Sequence, residues 1–596
     1  MPGGGSGSFS LPTPKVCASM LLRWWCVALW CLAGVILAGC APPIQVERVS
    51  GGKEERAIDA NVNSTGELTE STRIVLRREN LSERWGVDPD DTIARLHRVV
   101  AAGAADPDAV FALAEVAYRR AVDIGKPSYS LAAAVYAYAF LFPDDPSRRP
   151  SGFDPHLRAA CVIYNRGLGR AFAQADHSRV DLRSGRYELP FGSMDITFDP
   201  SGAWWGNVRL SDFTPAYDLR VSGLETLYRR PGIGASLAAS ANLQGPQSGW
   251  QIEPNIKIPV TALLRIDGLN GDLAQGRLRG SLEVHLAFEP SDVLIAGQSV
   301  PLETHTSKAF AFSLSDPEQW RSEFSGFLNG NFFDRASAQL VGLEPYRSGL
   351  IPVVFIHGTG SSSGRWANLI NDLQSDPDIH TGFQFWSFSY ATGNPTSFSA
   401  EQLRETIEAA LHTLDPQGKD PALQHIVLIG HSQGGLLAKW VTINSGSRLW
   451  DVLSTKPPEE LLRLSPEARR LLRRVFFVTP VPEVRRVIFI ATPQHGSFVA
   501  EAPVSQILAR LVTPGDRILK ALRDLTNDTD ELSINRGATP SDSVWSMSPS
   551  NPLLQTFAAI PVSPESSGSF DNRRQRRRPG GDWRRRGREL PKRPHR

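Results

Sequence analysis

The run Gly430-His431-Ser432-Gln433-Gly434 places a serine between two glycines, after the apolar stretch QHIVLIG and before the helix-forming stretch GLLAKWVT. The spacing G-x-S-x-G suits a tight strand-to-helix turn that lifts a hydroxyl clear of a sheet, with the glycines leaving room for the turn to close. A serine held in this way can attack an acyl carbon, so Ser432 is the expected nucleophile. The tetrahedral oxyanion that results needs N–H donors already in place. Gln433 offers its backbone N–H, and the loop His357-Gly358-Thr359-Gly360 offers a second, from Gly358 or Thr359. His357 precedes the nucleophile and reads as a residue that positions this loop, while Gly360, Gly430, His431 and Gly434 support the loop and the turn.

These residues need a rigid frame. LIPVVFIHG, FQFWSFSY, QHIVLIG and VRRVIFIATP are apolar runs with no alternation, and SGRWANLINDLQ, SAEQLRETIEAALHTL and GLLAKWVT between them carry helical spacing. Strands apolar on both faces that alternate with helices predict an α/β domain with a mostly parallel central sheet covered on both sides, over 346–566. Residues 500–555 mix short helical patterns with polar turns and are expected to form a lid-like segment. Upstream, DTIARLHRVV, AVFALAEVAYRRAV, SLAAAVYAYAFLF and HLRAACVIYNRGLGRAF predict a helical region over 66–178. A β-rich accessory domain is expected over 179–345, with strands at 256–266, 280–288 and 309–314 separated by Gly, Pro, Asn and Asp turns. His285 and His305 read as strand residues, without the carboxylate or cysteine spacing of a metal site. No metal or organic cofactor is expected.

Through VVFIHGTG, GHSQGG and IFIATPQHGS, residues 350–500 resemble the serine lipases and esterases of the α/β-hydrolase superfamily. The resemblance implies the α/β-hydrolase fold and a triad in the order serine, acid, histidine. This sequence departs from that order, because only His495 and His595 follow Ser432. His495, in the stretch ATPQHGS, reads as structural or substrate-lining and is the weaker candidate for the base. Asp524, Asp528, Asp530 and Asp542 lack the strand context of a triad acid. From 571 to 596 there are eleven arginines and one lysine against three acids, a net of +9 in a chain whose total is +2. The segment 567–596 therefore reads as a disordered basic tail or as a frameshift. Codon choices exist for which the same nucleotides, displaced by one position, read VHSTIAG and DGVV, which resembles the acid-bearing strand of related lipases.

At the other end, Lys15 and Arg23 precede an apolar run over 24–40, which reads as a signal peptide over 1–39. Leu37-Ala38-Gly39-Cys40 resembles the lipobox of bacterial lipoproteins. The resemblance implies cleavage before Cys40, acylation of its thiol, a tether over 40–65 and, with Ala41 following, a lipid-anchored place on the outer membrane facing the periplasm. Cleavage there removes three of the five cysteines and leaves Cys161 as the free thiol, so neither a disulfide nor a CxxC pair is expected. Without the basic tail the chain is net acidic, which argues against a nucleic-acid partner. No obligate protein partner is implied.

Three readings fit these features. The first is a carboxylic ester hydrolase, lipase-like, working on an ester or lipid substrate through an acyl-enzyme. The second is an acyltransferase that passes the acyl group to an alcohol from the same serine. The third is a noncatalytic envelope binding protein with a degenerate triad.

Overall fold

A computed structural model describes residues 45–48 and 66–571, apart from 104–105, 177, 244–249, 254, 289–291, 316–337, 360, 362, 458–459, 461–465 and 498–545. The segment expected to be a signal peptide, Cys40, Gly360, the centre of the segment expected to be lid-like and His595 lie outside the described residues. No helix among those described is long and apolar enough to cross a membrane.

The chain enters as β1 (Gln45–Arg48), where a tether was expected. Six helices follow: α1 (Glu70–Arg78), α2 (Ser82–Val87), α3 (Pro89–Ala101), α4 (Pro107–Ile124), α5 (Pro127–Leu141) and α6 (His156–Ala171). α3, α4 and α5 begin with proline in the first turn, where its missing N–H costs nothing, and α4 ends on Gly125 in the left-handed conformation. α5 is apolar on nearly every side, and Leu131 to Ala137 are all buried because α4 and α6 flank it over a sheet.

That sheet comprises β2 (Gly185–Leu189), β3 (Gly192–Phe198), β4 (Trp204–Trp205), β5 (Val208–Pro215), β7 (Ala235–Leu243), β9 (Lys257–Asp267) and β10 (Arg277–Leu286), in the order β2-β3-β10-β9-β7-β5-β4. β1 pairs instead with β6 (Leu219–Ser222), and β11 (Asp292–Ile295) with β12 (Gln298–Pro301). Helices and sheet share one continuous core from Val75 to Leu302, so the expected boundary at 178/179 is no break in packing. Tyr164 on α6 shows why. Its hydroxyl donates to the Leu264 carbonyl at 2.6 Å and accepts the Leu264 N–H at 2.8 Å, completing β9 where β7 no longer covers it.

The predicted strand at 309–314 is instead the helix α7 (Thr306–Ser313). A short run buried nearly throughout satisfies either secondary structure, and here the groove between β9 and the second half of the chain selects the helix.

The second sheet runs β18-β17-β16-β14-β15-β13-β8. Its parallel strands are β14 (Ile351–Ile356), β15 (Phe383–Ser389), β16 (Ile426–His431), β17 (Val484–Ile490) and β18 (Ser567–Asp571). β13 (Gln339–Gly342) runs antiparallel to β15, and β8 (Gln251–Ile252) pairs parallel on β13. α8 (Ala367–Ser375), α9 (Thr396–Leu414), α10 (Gln433–Trp440), α11 (Pro466–Phe476) and α12 (Pro552–Ala559) complete this half. Two of its seven strands therefore come from the region expected to be a separate accessory domain. The Trp250 ring lies 4.5 Å from that of Trp386, and Asn371 receives the Ser307 hydroxyl at 2.6 Å while donating to the Thr226 carbonyl at 2.9 Å. β18 occupies the first five residues of the segment expected to be tail, so the sheet extends to Asp571 in the present reading frame.

Candidate active site

Ser432 stands between β16 and α10 with φ 53° and ψ −122°, a conformation that costs a non-glycine residue about 1–3 kcal/mol and needs its surroundings to hold it. They do so through backbone contacts. The Ser432 N–H donates to the Ile490 carbonyl at the end of β17 at 2.9 Å, and the Gly435 N–H donates to the Ser432 carbonyl at 3.1 Å. Gly434 crosses β14 so closely that a Cβ would lie 2.3 Å from the Ile356 carbonyl oxygen, and a Cβ on Gly430 would lie 2.5 Å from the Gly435 Cα.

The upstream loop closes over this turn. A Cβ on Gly358 would lie 2.9 Å from the Ser432 Cβ and 3.1 Å from the His431 carbonyl oxygen, so the loop backbone packs directly on the serine. Thr359 donates its hydroxyl to Oε1 of the fully buried Gln433 at 2.7 Å and touches the Met547 sulfur at 3.8 Å. Loop and turn, separate in sequence, are thus joined by a side-chain hydrogen bond. Gly358, Thr359, Ser432 and Gln433 come together in the structure.

His357 is buried beneath the loop. Its Nδ1 donates to the Gly358 carbonyl at 3.1 Å, its own carbonyl accepts the Tyr390 hydroxyl at 2.8 Å, and its ring stacks on Tyr390 with centroids 4.6 Å apart. Burial pulls its pKa from 6.5 down to about 4, so the ring is neutral at physiological pH. Because the folded value lies below the unfolded one, the unfolded chain binds more protons at this residue between about pH 4 and 6.5, and its contribution to stability rises with pH across that window. His357→Gln should flatten this slope in urea melts. A slope unchanged from that of the parent would exclude His357 as its source.

His431 is exposed beside the serine, edge-on to Trp366, and partial burial lowers its pKa. His495 is also exposed, in the turn that follows β17. Among the described residues no hydrogen bond or ion pair joins His495 to Ser432. The turn is nevertheless tied to the loop, since Ser497 donates its N–H to the Met547 carbonyl at 2.9 Å.

Asp571 was not anticipated. It ends β18 opposite Ile490, and Ile490 lies opposite His431, so a carboxylate residue stands at the level of the nucleophile two strands away, about 10 Å at ordinary strand spacing. The signal was the short run SGSFD ending in an acid, hidden by the arginines that follow it.

Residues 353–585 match the alpha/beta hydrolase family. At the superfamily level this part of the chain is hydrolase-like, and its elbow serine stands at the carboxyl edge of a parallel sheet. Two solved structures of esterase B from Lactobacillus rhamnosis are also similar. The first, inhibited by a C6-C4 SN3 compound, is 19% identical, with 38% of this chain and 66% of that chain covered and a TM-score of 0.21. The second, inhibited by a C4-C4 SN3 tributyrin phosphonate, is 18% identical, with 38% and 64% covered and a TM-score of 0.20. The chain spans just under two thirds of the length of these esterases. No curated protein matches it.

Proposed function

We propose that the chain is a serine-dependent carboxylic ester hydrolase that forms its acyl-enzyme on Ser432. The observation that carries this reading is the strained backbone of Ser432 with the Gly358 backbone packed on it, since a turn with this cost suits a nucleophile aimed at a bound carbonyl. The Ser432 Oγ adds to the acyl carbon while a base takes its proton. The oxyanion is held by the backbone N–H of Gln433 and one from Gly358 or Thr359, and its collapse expels the alcohol, which takes up the proton. Water then repeats the sequence on the acyl-enzyme and releases the acid.

The base in this proposal is His495, the one histidine after Ser432 among the described residues, and Asp571 is proposed as the acid from its register position on β18 alone. Support comes from the place of His495 in the turn after β17 and of Asp571 at the carboxyl end of β18. The chain order serine, histidine, acid differs from that of the lipases the sequence resembles, and triads on other folds also vary in order.

Incubation with an alkyl p-nitrophenyl phosphonate should release one equivalent of nitrophenol and leave one adduct, mapped by mass spectrometry to the peptide holding Ser432. Absence of an adduct, or an adduct elsewhere, defeats the ester-hydrolase reading. Asp571→Asn should lower kcat on p-nitrophenyl butyrate by about three to four orders of magnitude, the size of loss seen when a triad acid is neutralised. A loss below tenfold would remove Asp571 from the mechanism.

A further inference from the structure

A cleft of about 350 Å3 opens between the β4–β5 edge of the first sheet and the segment 179–182, and none of its lining residues belongs to the turn at Ser432 or the loop at Gly358. Its size falls within the range of small-ligand pockets, about 300–1,000 Å3. A β-bulge builds one wall. β5 leaves register with β7 between Ser211 and Thr214, and the Phe213 carbonyl accepts the Val180 N–H at 2.7 Å, which fixes 179–182 against the strand. Asp212, inside the bulge, takes φ 49° in the left-handed region. Its carboxylate forms an ion pair with Arg179 and accepts the Ser211 hydroxyl at 3.1 Å. Bulges re-aim side chains beside functional sites, and a residue with a strained backbone persists only where its surroundings hold it.

The β4 edge presents groups that the fold itself leaves uncommitted. Trp204 is 44% exposed and has no ring or cation contact among the described residues. The adjoining Trp205, by contrast, is covered by Phe288, with ring centroids 5.9 Å apart, and by Arg347. Arg209 stands directly across from Trp204 in the β4–β5 pairing, so both side chains leave the same face with Cβ atoms about 4.5–5.5 Å apart. The Arg209 guanidinium is exposed and makes no hydrogen bond or ion pair among the described residues. Gln174 and Asp181, both exposed, complete the polar lining.

We infer that this cleft is a saccharide-binding site. The inference goes beyond ester hydrolysis at Ser432 and does not rest on it. The charged residues of the lining are Arg179 and Arg209 against Asp181 and Asp212, so their charges cancel and leave no net field to select an anion or a cation. What they offer instead is acceptors and donors side by side, with the Gln174 amide serving as both. A sugar hydroxyl donates to a carboxylate while accepting from a guanidinium, and hydrogen bonds to charged groups of this kind are the strong ones. The C–H face of a pyranose ring supplies apolar surface for the uncovered Trp204 indole. A purely apolar ligand would strip water from charged side chains without replacing its hydrogen bonds.

Isothermal titration of the full chain with cellotriose, maltotriose and N,N′,N″-triacetylchitotriose should find one that binds at a single site with Kd below about 1 mM. Trp204→Ala and Arg209→Ala should each weaken that binding at least about tenfold, the loss expected when a central tryptophan or arginine is truncated. Both residues are exposed, so the Tm of each variant should match that of the parent. Should one variant fail to fold, the other carries the comparison. Asp212→Asn should also weaken binding with the fold kept, since asparagine tolerates the left-handed backbone and loses only the charge. Failure of all three saccharides to bind at about 10 mM, or binding unchanged in Trp204→Ala and Arg209→Ala, overturns the site. Ser432→Ala should bind the same saccharide with the same Kd, so loss of esterase activity and loss of this site are read separately.

Discussion

Ser432→Ala should abolish phosphonate labelling and lower kcat on p-nitrophenyl butyrate by at least about ten-thousandfold, since losing the nucleophile of a serine hydrolase leaves only the rate that binding and oxyanion donors supply. Ser432→Gly should lose the same activity yet melt at a higher temperature than the parent. Glycine adopts φ 53° freely, and the release of strain is worth about 1 kcal/mol. The pair of variants separates two properties of one residue, because the gain on going to glycine reads the backbone strain alone, while a serine without a catalytic role would keep its labelling on going to alanine. Retention of even a tenth of the activity in Ser432→Ala would sink the assignment of the nucleophile.

Gly434→Ala carries the second large effect, on the fold and the site together. The added methyl would meet the Ile356 carbonyl oxygen at 2.3 Å and the His357 carbonyl oxygen at 2.5 Å. Both are backbone atoms at the carboxyl end of β14, which β15 and β16 hold on either side, so neither can yield as a side chain would. Forced separation of α10 from β14 should cost about 3 kcal/mol, the upper range for overpacking, and should draw Gln433 away from Thr359. The variant should show a lower urea midpoint and a fall in kcat larger than any change in KM. A midpoint and rate equal to those of the parent would mean that the crossing of α10 over β14 is looser than its geometry indicates.

Much of this site could be read in the sequence because it is local. Ser432, Gln433 and the strand before them are contiguous, and the doubly apolar strands signal their own burial. The elements that escaped depend on contacts between distant segments. Whether 306–313 would be helix or strand turned on the groove it fills. Asp571 gains its place from pairing with a strand eighty residues earlier, which no periodicity around it announces. The burial of 391–400 could not be foreseen either, since a Thr-Ser-rich stretch ordinarily signals an exposed turn, and only tertiary packing shows that this one is enclosed.

The contribution of β8 and β13 to the second sheet has a consequence for heredity. A gene segment cut at codon 346 would encode the nucleophile and the loop that faces it but neither of the strands that finish the sheet beyond β15, and the ring of Trp386 would lose its neighbour Trp250. The upstream half is therefore no passenger that recombination could exchange for another binding module. Any ancestor of this chain that gained or lost it had to rebuild the edge of the sheet at the same time, so the two halves are expected to travel through genomes as one unit.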